Sequence, residues 1–271
     1  MTVEAHAKIN LTLEVFGKRR DGYHALRSVV APISLADTLT ISEAKGFVSD
    51  TGYADDLCLK AAKALDPKRG VEIRIRKRIP AGGGLGGGSA DAAATLVALN
   101  RMRKLDLARS ELAALGAKVG SDVPALTMGE MVIMEGRGEL VSELPFAPPK
   151  PLNLVLVFPG VATSTAEVYA RCRPRKAGSE SATVRMLEAL EGGKLTEIAA
   201  ALKNDLIAPA TKLQPKIAVA MEALKRAGAV GVSMSGSGST AFGLFSSARK
   251  ALSSARKLRE SGLEALAVRT I

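Results

Sequence analysis

The chain of 271 residues is long enough for one large domain or two modest domains. Its hydrophobic content of 47% and charged content of 24% are ordinary for a soluble globular protein. Two cysteines, Cys58 and Cys172, exclude a disulfide framework and a cysteine-rich zinc site. No apolar run reaches transmembrane length, and the first residues lack the features of a secretory signal, so we expect a cytoplasmic protein.

The net charge of +11 indicates an anionic partner, either nucleic acid or a phosphorylated metabolite. Aromatic residues make up only 3% of the chain and tryptophan is missing, which disfavours a protein that binds single strands by base stacking. The cations are scattered, so a solvated basic surface explains most of them. The clearest groups lie at 18–20, 74–78 and 171–176.

The N-terminal stretch is a candidate β-strand. Apolar side chains occupy every odd position from Val3 to Val15, and polar side chains alternate with them. This period of two predicts a strand with one apolar face. Lys8 and Asn10 share the opposite face, which this pattern alone would place in solvent.

A basic turn over 17–22 follows, and it leads to Tyr23 and His24. These two side chains either pack against the core, which is the favoured alternative on this pattern, or contact a planar ligand by stacking and hydrogen bonding. The next patterns predict a strand around a turn over 33–41, a helix over 57–65 and a strand over 71–75.

The most distinctive stretch is a glycine-rich loop from Pro80 to Asp91, in which six glycines fall within seven positions. We predict that Ser89 caps a helix there, because apolar residues continue behind it at helical spacing. A helix N-terminus fed by such a loop offers free N–H groups and the positive end of the helix dipole, so it predicts a phosphate cradle. The loop is not a P-loop, because it lacks the ending Gly-Lys-Ser/Thr, and its match to the dinucleotide-binding pattern G-x-G-x-x-G is weak. A flexible glycine linker is disfavoured because such a linker would not have a helix directly behind it.

A carboxylate at another predicted helix start is a candidate catalytic group. A helix over 105–115, with Ser110 as its possible start, comes before the sequence Gly-Ser-Asp-Val-Pro at 120–124. Asp122 either caps a helix, since proline suits a first turn, or accepts a proton from an attacking hydroxyl near a phosphate site. A strand over 131–134 and a turn over 135–138 are predicted next.

The segment 144–151 holds four prolines and is the best linker candidate. Strands and helices are mixed on both sides of it, which predicts an α+β fold in two lobes. After the linker the predicted strands are 152–158, 231–234, 241–245 and 263–271, and a second glycine loop covers 235–240. The predicted helices begin near 163 and then cover 182–191, 194–203, 215–227 and 247–261.

Three stretches together resemble the GHMP kinase superfamily, which is named for galactokinase, homoserine kinase, mevalonate kinase and phosphomevalonate kinase. They are Ala-Lys-Ile-Asn-Leu at 7–11, the loop at 80–89 and Met-Ser-Gly-Ser-Gly-Ser at 234–239. The chain is most similar to the family that acts on 4-diphosphocytidyl-2-C-methyl-D-erythritol. Arg-Asp-Gly-Tyr-His at 20–24, the motif at 120–124 and Pro-Gly-Val at 159–161 support this narrower resemblance, which covers nearly the whole chain.

The resemblance implies a two-lobed α+β GHMP kinase fold. The N-terminal lobe, similar to ribosomal protein S5 domain 2, would cover 1–147, and a C-terminal α+β lobe would cover 148–271. The implied reaction transfers the γ-phosphoryl of ATP to the 2-hydroxyl of the methylerythritol unit, in non-mevalonate isoprenoid precursor synthesis, with Mg²⁺ bridging the phosphates. The implied partner is a small cytidine diphosphate sugar alcohol, without nucleic acid or membrane, and the protein would be a monomer or weak dimer.

The resemblance also implies roles for individual residues. Asp122 matches the catalytic base, and Lys8 matches the lysine that stabilises charge beside it. The implied ATP contacts are Asp56, Leu57, Lys77, Pro80, Gly82, Gly83, Gly84, Leu85, Gly86, Gly87, Gly88 and Ser89. The implied substrate contacts are Asn10, Tyr23, His24, Thr165, Tyr169, Gly236, Ser237 and Gly238. No residue is assigned as a direct metal ligand, and Ser89 and Asp122 are only candidates.

His24 would read the cytosine edge beside Tyr23, and Tyr169 would stack on the other side of the base. One departure concerns the adenine side, where the family commonly has Asn-Leu and this chain has Asp56-Leu57. A carboxylate can accept a hydrogen bond from the adenine amino group but cannot donate one, so this departure puts the adenine contact at that position in doubt.

Two other functions stay open on the sequence. One is another GHMP small-molecule kinase, of the homoserine or mevalonate type, which Tyr23, His24 and Tyr169 argue against. The other is a basic RNA-binding protein, since related lobes occur in ribosomal proteins. It predicts strongly salt-dependent RNA binding and no use for Asp122. The two glycine loops and the lysine–aspartate pair favour the kinase.

Overall fold

The computed structural model describes residues 1–52, 55–147, 150–175 and 180–271. The strands are β1 (Thr2–Asn10), β2 (Thr12–Lys18), β3 (His24–Glu43), β4 (Phe47–Ser49), β5 (Val71–Arg76), β6 (Val132–Gly136), β7 (Leu140–Glu143), β8 (Asn153–Phe158), β9 (Lys203–Asn204), β10 (Gly231–Met234), β11 (Ala241–Phe245) and β12 (Glu264–Arg269). The helices are α1 (Leu57–Leu65), α2 (Gly87–Arg103), α3 (Arg109–Gly116), α4 (Val123–Met128), α5 (Thr165–Ala170), α6 (Ala182–Gly192), α7 (Leu195–Ala201), α8 (Ile207–Leu213), α9 (Lys216–Arg226) and α10 (Ala248–Glu260).

Two sheets organise the chain. The larger sheet is built around β3, which pairs antiparallel with β1, β2, β5 and β6 along its length. Strands β4, β7 and β9 complete this sheet. The smaller sheet has the strand order β10-β11-β8-β12 and is antiparallel throughout. Both sheets carry helices, which confirms the predicted α+β class.

The turn predicted within 33–41 is wrong, because β3 is one continuous strand of 20 residues. Asp37, in the middle of this stretch, is fully buried and accepts hydrogen bonds from the N–H groups of Arg78 and Ile79. The strand predicted from Val3 to Val15 is in fact two strands, β1 and β2. The two strands are interrupted near Thr12, where the side-chain hydroxyl of Thr12 accepts the hydrogen bond from the Val29 N–H. In a regular ladder a backbone carbonyl would accept this hydrogen bond.

Local patterns located most other elements correctly. Helix α1 and strands β10 and β11 have the predicted bounds, whereas α3 begins at Arg109, next to the possible start at Ser110 and four residues after Leu105. The chain before α3 turns away from helical geometry because Lys104 and Asp106 have φ of 53° and 52°. Strands β4, β7 and β9 and helix α8 were not predicted, and three of these four elements have four residues or fewer.

Helix α2 is central to the fold and fixes where the glycine loop points. It contacts β1, β3, α1, α3 and α4. Its small side chains allow this close approach, and Ala90, Ala92, Ala93, Leu96 and Leu99 are buried. Burial of apolar area on all these neighbours stabilises the helix at about 25 cal/mol per Å². The N-terminus of α2 is therefore held rigidly at the end of the loop.

The two halves of the chain are joined by more than one connection. The two residues of β9 pair parallel with Thr12 and Leu13 of β2, and Ile33 forms an isolated bridge with Thr270. The strands of the smaller sheet all follow the proline-rich segment. Residues 148–149 lie outside the described residues, so the lobe boundary between 147 and 148 stays a prediction.

A buried carboxylate ties α6 to the larger sheet. Glu14 is fully buried and accepts hydrogen bonds from the Ala182 N–H (2.9 Å), the Thr183 N–H (3.0 Å) and the Ser181 hydroxyl (3.0 Å). The Arg175 guanidinium lies 3.3 Å away. Because the free N–H groups of a helix start favour negative charge, this contact holds the N-terminus of α6 against β2.

This contact predicts a pH-dependent stability. Burial alone would raise the pKa of Glu14, but hydrogen bonds from Thr183, Ala182 and Ser181 outweigh it and hold the pKa below its ordinary value of 4.5. The stabilisation is therefore complete above that value and is lost as the pH falls through the lower folded pKa. We expect Glu14→Gln to reduce the free energy of unfolding in urea by about 2 kcal/mol at neutral pH and by less near pH 3. An equal loss at both pH values would contradict this role.

Candidate active site

Two neighbouring cavities contain nearly all of the predicted site residues. The Gly82 cavity, of about 540 Å³, is lined by Asp56, Leu57, Lys77, Pro80 and the residues from Gly82 to Ser89. The Asp122 cavity, of about 690 Å³, is lined by Lys8, Asn10, Tyr23, His24, Asp122, Thr165, Tyr169, Gly236 and Ser237. Gly84, Gly86 and Ser89 line both, so the cavities meet at the glycine loop. Gly238 lies outside the described lining of both cavities.

The glycine loop ends in the first turn of α2. The N-cap is Gly86, whose φ of 70° is left-handed, and the helix begins at Gly87. The prediction that Ser89 caps this helix is therefore wrong. Ser89 lies in the first turn, because glycine reaches the left-handed conformation at the cap more readily than serine does. Gly87, Gly88 and Ser89 of this first turn line the Gly82 cavity, which is where the expected phosphate cradle would lie.

The two glycine loops are packed directly against each other. The Gly83 carbonyl accepts the Thr240 N–H at 3.1 Å, and the Ser235 hydroxyl donates to the Gly84 carbonyl at 2.8 Å. A Cβ atom on Gly84 would lie 2.2 Å from the Ser235 carbonyl oxygen and 2.9 Å from that of Gly238. The close approach explains why this position is a glycine, and it places Gly238 behind the loop.

Lys8 is buried at the junction of the two cavities. Its side chain is 4% exposed, and Nζ donates to Asn10 Oδ1 at 2.7 Å and lies 3.5 Å from Asp122 Oδ2. The Lys8 N–H donates to the Leu85 carbonyl at 3.0 Å, which ties β1 to the glycine loop. At Lys8 and Asn10 the polar face of β1 is therefore covered by the two glycine loops, and this part of the face is not open to solvent.

Asn10 holds this lysine in place. Its Oδ1 also accepts the Gly236 N–H at 2.9 Å, and its Nδ2 donates to the Ser28 hydroxyl at 2.8 Å. Lys8, Asn10 and Ser28 are buried, so the charge of Lys8 is oriented mainly by fixed dipoles of the protein. Such an arrangement suits stabilisation of negative charge that develops on a bound ligand.

Asp122 stands at the N-cap position of α4, but its side chain makes no capping hydrogen bond with the described residues. The carboxylate is one-third exposed and approaches Lys8 Nζ. The interpretation of Asp122 as a side-chain cap therefore fails, and the residue lines the Asp122 cavity instead. The pair of Lys8 and Asp122 is the chemically distinctive feature of the site.

Lys77 lies in the Gly82 cavity between two acids that the sequence did not indicate. Nζ donates to Asp37 Oδ2 at 2.5 Å and to Asp91 Oδ2 at 2.7 Å. Burial would lower the pKa of Lys77, but its hydrogen bonds with Asp37 and Asp91 outweigh burial and raise it. Asp37 also accepts the N–H groups of Arg78 and Ile79, so it anchors the segment that leads into the glycine loop.

Burial raises the pKa of Asp91 to about 6, although Lys77 opposes this change. Its Oδ1 is buried and has no hydrogen-bond partner among the described residues. Asp91 belongs to the first turns of α2, where a carboxylate is stabilised by the helix dipole. Only its place directly after the glycine loop could have identified it from sequence.

Three ring side chains line the Asp122 cavity. The rings of His24 and Tyr169 are in contact, with centroids 5.5 Å apart and a tilt of 30°. A base placed between these two rings would need them to separate. Burial raises the pKa of Tyr169 and the charge of Asp122 adds to the increase, so the phenol stays protonated. Tyr23 is 52% exposed, and the Arg137 guanidinium lies 5.2 Å from its ring.

Arg137 is a lining residue that sequence reasoning missed, because it lies in a predicted turn without a motif. Thr165 and Ser237 were predicted, and their hydroxyls are 2.9 Å apart. This hydrogen bond connects α5 with the second glycine loop and brings Tyr169, on the same helix, to the cavity. The lining therefore combines a fixed cation, a carboxylate and aromatic surface.

Asp56 is the N-cap of α1. Its Oδ1 accepts the N–H groups of Cys58 at 2.7 Å and Leu59 at 3.0 Å. Its Oδ2 accepts hydrogen bonds from the hydroxyls of Ser49 and Thr51. Both oxygens are thus used within the protein, and the structure gives Asp56 a capping role at the edge of the Gly82 cavity.

Across the described ranges, no helix is both long enough and apolar enough to span a bilayer.

Comparison with known proteins agrees with this geometry. Residues 56–130 match the GHMP kinases N terminal domain, and residues 186–263 match the GHMP kinases C terminal domain. A crystal structure of 4-(cytidine 5'-diphospho)-2C-methyl-D-erythritol kinase is 36% identical, covers all of both chains and superposes with a TM-score of 0.84. The mevalonate kinase of Methanococcus jannaschii, 16% identical with a TM-score of 0.71 over 100% of this chain and 98% of that one, shows the shared fold.

Curated relatives give a narrower assignment. The 4-diphosphocytidyl-2-C-methyl-D-erythritol kinase of Pelotomaculum thermopropionicum is 41% identical over 100% of this chain and 98% of that protein. The protein of the same name from Shouchella clausii is 40% identical over 90% of this chain and 85% of that protein. These matches confirm the predicted fold and the predicted phosphotransferase class, with an alcohol as acceptor and ATP as the phosphoryl donor. The chain belongs to the GHMP kinases, in the family of the 4-diphosphocytidyl-2-C-methyl-D-erythritol kinases.

Proposed function

We propose that this protein transfers the γ-phosphoryl of ATP to the 2-hydroxyl of 4-diphosphocytidyl-2-C-methyl-D-erythritol, a step of the non-mevalonate route to isoprenoid precursors. The observation that carries the proposal is the pair of Lys8 and Asp122, 3.5 Å apart, where the Asp122 cavity meets the glycine loop. The relatives at about 40% identity support the choice of acceptor.

The acceptor alcohol would lie in the Asp122 cavity with its 2-hydroxyl beside the Asp122 carboxylate. The carboxylate accepts the hydroxyl proton as the oxygen forms its bond to the γ-phosphorus, and ADP leaves with the electrons of the broken P–O bond. Lys8 stabilises the negative charge on the transferred group. Because Asn10 and the two glycine loops fix Lys8 in advance, little reorganisation is needed at the moment of transfer.

ATP would lie in the Gly82 cavity, with its phosphates on the glycine loop. The N–H groups of the first turn of α2 and the positive end of its dipole favour phosphate there. Lys77 lies in the same cavity, and its contacts with Asp37 and Asp91 fix its position and offset its charge. Leu57 offers apolar surface to the adenine, and the capping role of Asp56 leaves its predicted adenine contact as a hypothesis.

Mg²⁺ fits the donor set at the junction of the cavities. Magnesium favours oxygen ligands and is held by one or two protein groups together with substrate phosphates. The Ser89 hydroxyl and the Asp122 carboxylate are such oxygens, and both line the Asp122 cavity. These two residues would hold the ion, which would neutralise phosphate charge when bound.

Tyr169 is proposed to stack on the cytosine base. Stacking on an aromatic ring contributes about 1–3 kcal/mol per base. We therefore expect Tyr169→Ala to raise KM for the cytidine substrate about tenfold or more, while KM for ATP changes less than about twofold. Tyr169→Phe keeps the ring and should remain close to the unchanged protein in steady-state kinetics. Equal increases in both KM values for the alanine variant would argue against stacking.

An acceptor panel tests the proposed substrate. ADP release would be measured with Mg²⁺, ATP and one of four additions, namely the cytidine substrate, homoserine, mevalonate or no acceptor. Turnover with the cytidine substrate alone is expected. Turnover with homoserine or mevalonate instead would keep the roles of Lys8 and Asp122 but remove those of Tyr23, His24 and Tyr169.

We also propose that the protein acts in the cytoplasm as a monomer or weak dimer.

A further inference from the structure

A third large cavity lies on the C-terminal half of the chain and is strongly basic. The Arg173 cavity has a volume of about 860 Å³, within the range of small-ligand sites. Its lining includes five cations and one acid: Arg171, Arg173, Arg175, Lys203, Lys212 and Asp205. None of its lining residues lines the Gly82 or the Asp122 cavity as described above, so it is a separate site.

The acid in this cavity is already neutralised. Asp205 lies 3.7 Å from the Arg175 guanidinium and 3.6 Å from Lys203 Nζ, and it accepts the Val15 N–H at 3.0 Å. Arg171 pairs with Glu167 at 3.1 Å on an exposed helix turn. Arg173 and Lys212 are exposed and form no ion pair with any part of the chain that the structure describes. They are therefore available to a ligand.

Besides these two cations, the cavity has a buried hydroxyl without a hydrogen-bond partner among the described residues. Ser233 is 1% exposed, lines the cavity, and its Oγ has no hydrogen-bond partner within the described ranges. An unpaired buried hydroxyl costs about 1–3 kcal/mol unless a ligand or water satisfies it. Ser233 belongs to β10, inside the smaller sheet, so its position is fixed.

Asn204 forms part of the wall between this cavity and the active site. Its Nδ2 donates to the carbonyls of Met234 and Gly236, both at 2.8 Å, and its Oδ1 accepts the Leu206 N–H. Gly236 lines the Asp122 cavity on the other side of this wall. The floor of the Arg173 cavity is thus rigid, as a preorganised binding site requires.

We propose that the Arg173 cavity binds a diphosphate group, as a second anion site outside the active site. Arginine matches phosphate oxygens with two parallel N–H donors, and lysine adds a mobile positive charge. Arg173 and Lys212 would each take phosphate oxygens, and the Ser233 hydroxyl would donate to an oxygen that reaches the floor. Free inorganic diphosphate and the diphosphate end of an alkyl ester share this chemistry.

Amide NMR shifts of the full chain would test this site, since they distinguish binding here from binding at the glycine loop. Titration with inorganic diphosphate should give saturable shifts at Arg173, at 205–212 and at Ser233, with a dissociation constant distinct from any at 82–89. A second titration with an alkyl diphosphate separates the two sources. Equal affinity would mean that the site accepts diphosphate esters, and weaker affinity that it prefers the free ion.

A pair of double variants completes the test. Arg173→Ala with Lys212→Ala should weaken the shifts at this cavity at least tenfold, and Ser233→Ala should weaken them by a smaller factor. The matched control, Arg249→Ala with Lys250→Ala on exposed positions of α10, removes the same charges and should leave binding unchanged. The proposal is overturned by shifts confined to 82–89, by unsaturable shifts, by equal weakening in both double variants, or by shifts that appear only with single-stranded RNA.

Discussion

Asp122→Asn is expected to lower kcat by about 10³-fold or more while the dissociation constant for ATP changes by less than about threefold. The asparagine keeps the size of the side chain but cannot take the proton of the acceptor hydroxyl at neutral pH. Asp122 makes no capping bond within the described residues, and it lines the Asp122 cavity rather than the Gly82 cavity, so we expect the loss of its charge to affect the reaction far more than the binding of ATP.

The measurement combines steady-state kinetics with direct ATP binding on the same protein preparation. Asp106→Asn is the matched control, because this exposed aspartate has a φ of 52°, which asparagine tolerates, and it is not among the lining residues described for either cavity. The control should keep kcat unchanged. A kcat for Asp122→Asn above about one-tenth of the unchanged value would remove Asp122 from the role of general base.

Gly84→Ala is expected to reduce the free energy of unfolding by about 3 kcal/mol, whereas Gly82→Ala reduces it by about 1 kcal/mol. Both glycines have a left-handed φ, 75° at Gly84 and 68° at Gly82, so the backbone cost of an alanine is similar. Only the Cβ atom at Gly84 meets backbone, at 2.2 Å from the Ser235 carbonyl oxygen, while at Gly82 the nearest atom is 3.9 Å away.

Urea unfolding of the two variants beside the unchanged protein measures the difference. Because the collision would push the second glycine loop away from Lys8, Gly84→Ala should also lower kcat/KM when it is still folded at low temperature. Equal stability losses for the two variants would contradict the close contact between the glycine loops, and with it the rigid junction of the cavities.

The elements that sequence predicted well are those whose pattern is local. Helix α1 and strands β10 and β11 have the expected bounds because apolar spacing and flanking turn residues define them. Strand β9 was not predicted because it has only two residues and forms by pairing with β2, which is distant in sequence. The turn predicted within 33–41 is absent from β3, and nothing local in the sequence shows that Asp37 in this stretch is buried.

The site residues likewise fall into those that a local motif identifies and those that only tertiary contacts bring to the site. Lys8, Asp122 and the glycine loop stand in motifs, so the resemblance could assign them, and the structure brings them together. The burial of Lys8 was not visible in β1, whose alternation alone places it in solvent, because the covering residues Leu85 and Gly236 come from other parts of the chain. Asp91 and Arg137 act through tertiary contacts and carry no motif of their own.

The central claim is tested most directly by the position of the new phosphate in the product. A reaction with ATP and 4-diphosphocytidyl-2-C-methyl-D-erythritol would be followed by ³¹P NMR, with the methylerythritol unit labelled with ¹³C. We predict one new phosphomonoester signal coupled to the carbon that bears the methyl group, with the two diphosphate signals of the substrate retained. Phosphate on another hydroxyl, extension of the diphosphate, or ATP hydrolysis without a phosphorylated product would contradict the account.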